Sequence, residues 1–210
     1  MATLPPTLSS RKRDWIPYAK IALWIALLAP AFILLDRILL LGQFSGGNFV
    51  DDPVELIQHW TGNTALILLL LGLAVTPMRR LLGWNWMIRF RRLFGLFAFF
   101  YATMHVVSWF VFDHQLALGP IFKDVLERNW ILVGMMSWLL LIPLAVTSTV
   151  GWIRRLGGKK WNRLHQLVYP IAILGVLHFL WQTKLLERDP VLYTVALVIL
   201  LAVRRWIRRK

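Results

Sequence analysis

Five histidines, His59, His105, His114, His165 and His178, are the chemically capable residues of a largely apolar chain. A neutral imidazole offers one nitrogen to a metal or proton and the other to a hydrogen bond, so paired imidazoles suit metal ligation or proton relay. There is no cysteine, which excludes disulfides, iron–sulfur clusters, thioether-linked cofactors and thiol catalysis. The sequence shows no HExxH pattern, phosphate-binding glycine loop or Ser/His/Asp set. What the histidines can do depends on the elements that carry them.

Those elements read as membrane spans. Of the 210 residues, 58% are hydrophobic and 16% charged. Leu93 to Phe112 and Leu164 to Thr183 each run 20 residues without Asp, Glu, Lys or Arg, and Trp130 to Ile153 runs 24. A hydrocarbon core of about 30 Å needs roughly 20 helical residues, so all three are long enough to span. Three further segments, 21–41, 54–76 and 190–203, complete a predicted all-α bundle of six transmembrane helices, one domain over 1–210. The last is short enough that Arg204 and Arg205 should snorkel. Arg11-Lys12-Arg13, an apolar stretch and Ala29-Pro30-Ala31 look like a cleavable leader. The apolar run overshoots through Leu35 and resumes at Ile38, so we read it as a retained first span.

Charge orients the bundle. The segment to Lys20, the loops 77–92 and 154–163 and the tail from Arg204 hold 19 of the 24 Lys/Arg and a single acid, Asp14. The complementary segments hold nine acids, among them Asp51, Asp52, Asp113, Asp124, Glu127, Glu187 and Asp189. The positive-inside rule then puts both termini in the cytoplasm. The net charge of +14 is thus a topology signal; a nucleic-acid footprint would gather its cations on one soluble face. Trp15, Trp60, Trp84, Trp86, Trp109, Trp130, Trp152, Trp161, Trp181 and Trp206 fall near span ends, as an aromatic belt does.

The spans give the histidines depths. His105 lies about 18 Å along the third span and His178 about 21 Å along the fifth, both counted from the basic side. Two imidazoles at one depth on helices entering from the same side suit a six-coordinate b-type haem, with an interhelical hydrogen bond as the rival for His105. His59 is about 8 Å in from the acidic side, where a polar patch with Glu55 and Gln58 fits as well as ligation. His165 sits at the inner edge beside Lys159, Lys160 and Arg163, equally placed for headgroups or for a ligand. His114 reads as a solvated loop residue.

Longer motifs carry a resemblance. The stretches Asp52-Pro53-Val54-Glu55-Leu56-Ile57-Gln58-His59-Trp60-Thr61-Gly62, Arg91-Arg92-Leu93-Phe94-Gly95-Leu96, Tyr101-Ala102-Thr103-Met104-His105, Thr147-Ser148, Trp161-Asn162-Arg163-Leu164-His165-Gln166-Leu167-Val168-Tyr169 and His178-Phe179-Leu180-Trp181 resemble the MsrQ (YedZ) family. That family is the haem-binding membrane subunit of the periplasmic methionine-sulfoxide reductase system, within the ferric-reductase-like transmembrane group. The resemblance implies haem b, one or two, with FMN associated, although no flavin motif is seen here. It implies a bacterial inner-membrane protein taking electrons from the quinone pool or a flavin reductase. They would pass to a periplasmic molybdopterin enzyme, MsrP, with no substrate chemistry in this chain.

The wider group holds two haems by two histidines on each of the third and fifth helices. His165 and His178 match the fifth-helix pair and His105 one member of the other; Arg91 stands fourteen residues earlier, where the fourth histidine would be. At about 100° per residue Arg91 and His105 share a face, whereas His165 and His178 miss by about 140°, with Pro170 between them placed to kink the helix. A guanidinium is a poor iron ligand but a planar partner for carboxylates, so the expected role of Arg91 is a haem propionate or the empty axial side of an inner haem on His165. A stand-alone ferric or quinone-linked haem reductase, and a non-redox transporter or scaffold with relay histidines, are the alternative readings.

Overall fold

The computed structural model describes residues 15–39, 52–182 and 188–209. Arg11-Lys12-Arg13, Asp14, Asp51, Glu187 and the predicted span ends 40–41 and 183 lie outside them. Among the described residues nine α-helices follow in order: α1 (Ile16–Leu39), α2 (Pro53–Leu82), α3 (Arg91–Ser108), α4 (Leu118–Glu127), α5 (Asn129–Val146), α6 (Val150–Leu156), α7 (Gly158–Leu164), α8 (Val168–Gln182) and α9 (Arg188–Arg209). Among the described residues there is no strand, and six helical segments are long and apolar enough to cross a membrane.

Helix ends follow local chemistry. Asp52 Oδ1 accepts from the Val54 and Glu55 amides at 2.9 and 3.1 Å, and Pro53 opens α2 where its missing N–H costs nothing. Gly83 closes α2 at φ 71°, a left-handed position that favours glycine. After α3 the chain widens into a π turn over Trp109–Asp113. Gln115 and Leu116, at φ 47° and 62°, then reverse it into α4.

α2 packs chiefly on α3, and α5 on α8. The core between them is apolar, with Leu73, Tyr101 and Ile171 fully enclosed. Tyr18, Phe32, Leu192 and Val198 are exposed, an apolar girdle that fits acyl chains and would be a liability in water.

Five expectations need correction. The predicted 130–153 span is two helices, because α5 stops at Val146. Thr147 Oγ1 donates to the Pro143 carbonyl at 2.6 Å, Ser148 Oγ to Leu144 at 2.7 Å, and Thr149 caps α6. Apolar composition runs through this break; the hydroxyls that bond back into the last turn make it.

The sixth span, predicted as 190–203, continues to Arg209. Arg204 is buried rather than snorkelling: its guanidinium donates to Tyr169 Oη at 2.9 Å and Thr76 Oγ1 at 2.5 Å and lies over the Tyr169 ring. His114 is not solvated; its side chain is 10% exposed, 3.3 Å from Asp124 and edge-on to Trp109. Finally, Trp60, Trp109 and Trp161 turn into the protein instead of the belt. Trp60 Nε1 donates to Pro30 O and Trp161 Nε1 to Thr147 O, each at 2.9 Å, while Trp109 packs on His114. An indole N–H buried beside a helix end takes a carbonyl where one is on offer.

Candidate functional site

His105 comes from α3 and His178 from α8, and the fold brings the two rings together. Their centroids are 6.1 Å apart and their planes inclined at 75°. His105 Nδ1 lies 3.0 Å from the Gln58 carbonyl oxygen of α2, and His178 Nδ1 2.7 Å from the Trp130 carbonyl oxygen of α5. A carbonyl can only accept, so each Nδ1 carries the proton and each Nε2 keeps its lone pair. The two histidines therefore have the same tautomer, fixed by helices other than their own.

They line a cavity of about 270 Å³. Small residues floor it: Gly62, Ala65, Ala98, Ala102, Gly134 and Gly175. Leu66, Leu69, Leu141 and Phe179 add apolar wall, and Asn63, Asp113, Arg128 and Gln182 contribute polar groups. Asn63 Oδ1 is buried without a hydrogen-bond partner. An orphaned amide on a cavity wall is a group waiting for a polar ligand, since leaving it unpaired costs about 1–3 kcal/mol.

His59 lines the same cavity, but its side chain is 45% exposed and lies 3.7 Å from Glu55. His165 is not in this cavity. It occupies a 3-10 turn, His165–Leu167, between α7 and α8. Its Nε2 lies 3.1 Å from Thr147 Oγ1, and its ring stacks on Trp161 at 3.9 Å between centroids. Arg91 opens α3, partly buried, with its charge within electrostatic range of His165 and Tyr169. The 3-10 turn also bears on the thirteen-residue spacing: it advances about 20° more per residue than an α-helix, closing roughly 60° of the 140° mismatch. That rewinding sits before Pro170, not at it.

Comparison with known proteins adds the decisive likeness. The family described as ferric reductase like transmembrane component matches residues 58–176. A protein of Xanthomonas axonopodis pv. citri (strain 306), named protein-methionine-sulfoxide reductase heme-binding subunit MsrQ, is 47% identical over 188 residues, 90% of this chain and 86% of its own. The chain belongs to the MsrQ family. A relative of the same name from Rhodospirillum rubrum is 48% identical over 162 residues, 77% of this chain and 78% of its own. The ferric-reductase-like region begins at Gln58, whose carbonyl meets His105, and ends two residues before His178. Within that MsrQ frame, Gly62, Gly134, Asn63 and Arg128 went unremarked in the sequence. The two glycines stand four residues after the carbonyls that the histidines use, a spacing that gains meaning only once those contacts are seen.

Proposed function

We propose that this chain is the haem-carrying membrane subunit of a methionine-sulfoxide reductase system, with His105 and His178 as the axial ligands of a b-type haem. The observation that carries it is the pair itself: two half-buried imidazoles lining one cavity, each with Nδ1 tied to a carbonyl and Nε2 left to ligate. The ring centroids stand 6.1 Å apart, a separation that would leave room for one metal ion held by both imidazoles. Among the described residues no group of three His, Cys, Asp or Glu assembles around a metal. Two ligands alone suit an ion that brings its remaining donors on a planar macrocycle.

When bound, haem supplies one-electron transfer. The protein supplies the rest. The carbonyls of Gln58 and Trp130 orient the imidazoles and raise their basicity. Leu66, Leu69 and Leu141 keep water from the centre. Arg128 is the cavity group suited to a haem propionate, and it already lies 3.5 Å from Asp124 and over the Trp130 ring.

In this reading the protein lies in a bacterial inner membrane with both termini cytoplasmic. Electrons enter on the basic side from quinone or a reduced flavin and leave on the acidic side to MsrP. An inner haem on His165 requires that ring to exchange Thr147 for iron, with Arg91 as the propionate partner. The test is the reduced-minus-oxidised absorption spectrum of the purified protein. A Soret band with split α and β bands is expected, with His105→Ala and His178→Ala each losing the outer haem's share of it. A wild-type protein without haem, or both variants at wild-type haem content, would overturn the assignment.

A further inference from the structure

The two histidines meet their carbonyls in the same way, and the shared element is a glycine. In an α-helix the carbonyl of residue i accepts from the amide of residue i+4. The Cα–Cβ bond of residue i+4 tilts toward the helix N-terminus, so its side chain covers that carbonyl. Four residues after Gln58 stands Gly62, and four after Trp130 stands Gly134. A Cβ on Gly62 would lie 3.1 Å from His105 Nδ1 and 3.3 Å from Cε1. On Gly134 it would lie 2.7 Å from His178 Nδ1 and 2.9 Å from Cε1. Each glycine therefore leaves open the space that the imidazole fills, and each uncovered oxygen has a second lone pair for it.

We propose that Gly62 and Gly134 are positioning residues for the axial histidines. By uncovering the carbonyls of Gln58 and Trp130 they dock each Nδ1–H, fix the tautomer and set how strongly each imidazole donates to iron. This rests on the haem reading above. Closer approach at Gly134 makes the His178 side the more exacting of the two. Gly72 and Gly95 are the comparison: an added Cβ would meet Phe94 Cβ at 3.6 Å at the first and nothing within 4 Å at the second, and neither lines the cavity.

The experiment compares Gly62→Ala, Gly134→Ala, Gly72→Ala and Gly95→Ala with wild type. Each full-length protein is purified in detergent and measured for haem-to-protein ratio, low-spin ferric EPR and midpoint potential. Gly134→Ala should lose most of its haem or its bis-histidine signal. Gly62→Ala should keep haem but shift in g values, with a raised midpoint potential, because a weaker Nδ1–H bond leaves a poorer donor to ferric iron. Gly72→Ala and Gly95→Ala should match wild type. If Gly134→Ala does not accumulate, the Gly62→Ala spectrum and potential decide. Glycine variants at 62 and 134 that match wild type, or four variants that all lose haem equally, overturn the proposal. A wild-type protein that takes up no haem fails the functional reading instead.

Discussion

At the scale of single residues, the histidines divide by what holds them. His105 and His178 are legible in the sequence because membrane burial makes a histidine costly and their depths agree. Their glycines are less so, because a helical glycine is ordinary until the oxygen it uncovers is seen to be used. His59 shares the cavity yet is nearly half exposed beside Glu55. His59→Ala should therefore retain haem at wild-type stoichiometry and low-spin character; loss of the spectrum would make it a ligand and displace one of the other two. Arg91 belongs to the other end of the bundle, in range of His165 and Tyr169. Should an inner haem be present, Arg91→Ala should weaken that site in haem titration and Arg91→His should give a second bis-histidine EPR signal. Unchanged inner-haem content and spectra in both variants would leave Arg91 as an anchor to anionic headgroups.

At the scale of elements, the six spans could be read from apolar length, but where they bend could not. The stop at Thr147 and the 3-10 turn at His165 are coupled: Thr147 Oγ1 bonds both the Pro143 carbonyl and His165 Nε2. Neither event changes the apolar composition, so a length argument passes through both. A second departure from a regular hydrogen-bond ladder lies in α1, which carries Pro30 inside it. The Tyr101 hydroxyl donates to Leu27 O at 2.7 Å and accepts from Ala31 N–H at 3.2 Å, bridging the ends of one turn beside the proline, while Trp60 Nε1 takes the Pro30 carbonyl. α1 is otherwise mostly exposed, so these polar contacts do much to hold it to α2 and α3. Tyr101→Phe removes the bridge at little change in volume and should cost about 1 kcal/mol. A lower melting temperature in detergent, with haem content retained, is the expected result; an unchanged melting temperature would mean that α1 closes its own turn without the hydroxyl.

At the scale of the whole molecule, the opposed charge of the two ends is the feature that the sequence shows best and that the structure refines most. Reporter fusions should place both termini on the cytoplasmic side, and a periplasmic C-terminus would reverse the direction of electron flow proposed here. Several carboxylates of the acidic end are already engaged. Asp52 caps α2, Asp113 accepts from Gln58 Nε2 at 2.8 Å, and Asp124 lies between His114 and Arg128. These contacts keep the negative charge at the surface while fixing where it sits, close to the cavity that Asp113 and Arg128 line. A field of that kind speeds encounter with a cationic partner more than it tightens the final complex. Reduction of the periplasmic reductase by this protein should therefore slow as ionic strength rises and the Debye length falls from about 10 Å at 0.1 M salt to about 3 Å at 1 M. Glu127→Gln, on the acid of α4 that takes no part in those contacts, should reduce the salt dependence without altering the haem spectrum. Stopped-flow rates that stay constant across that range would assign docking to apolar contacts and leave the acidic end a topological feature only.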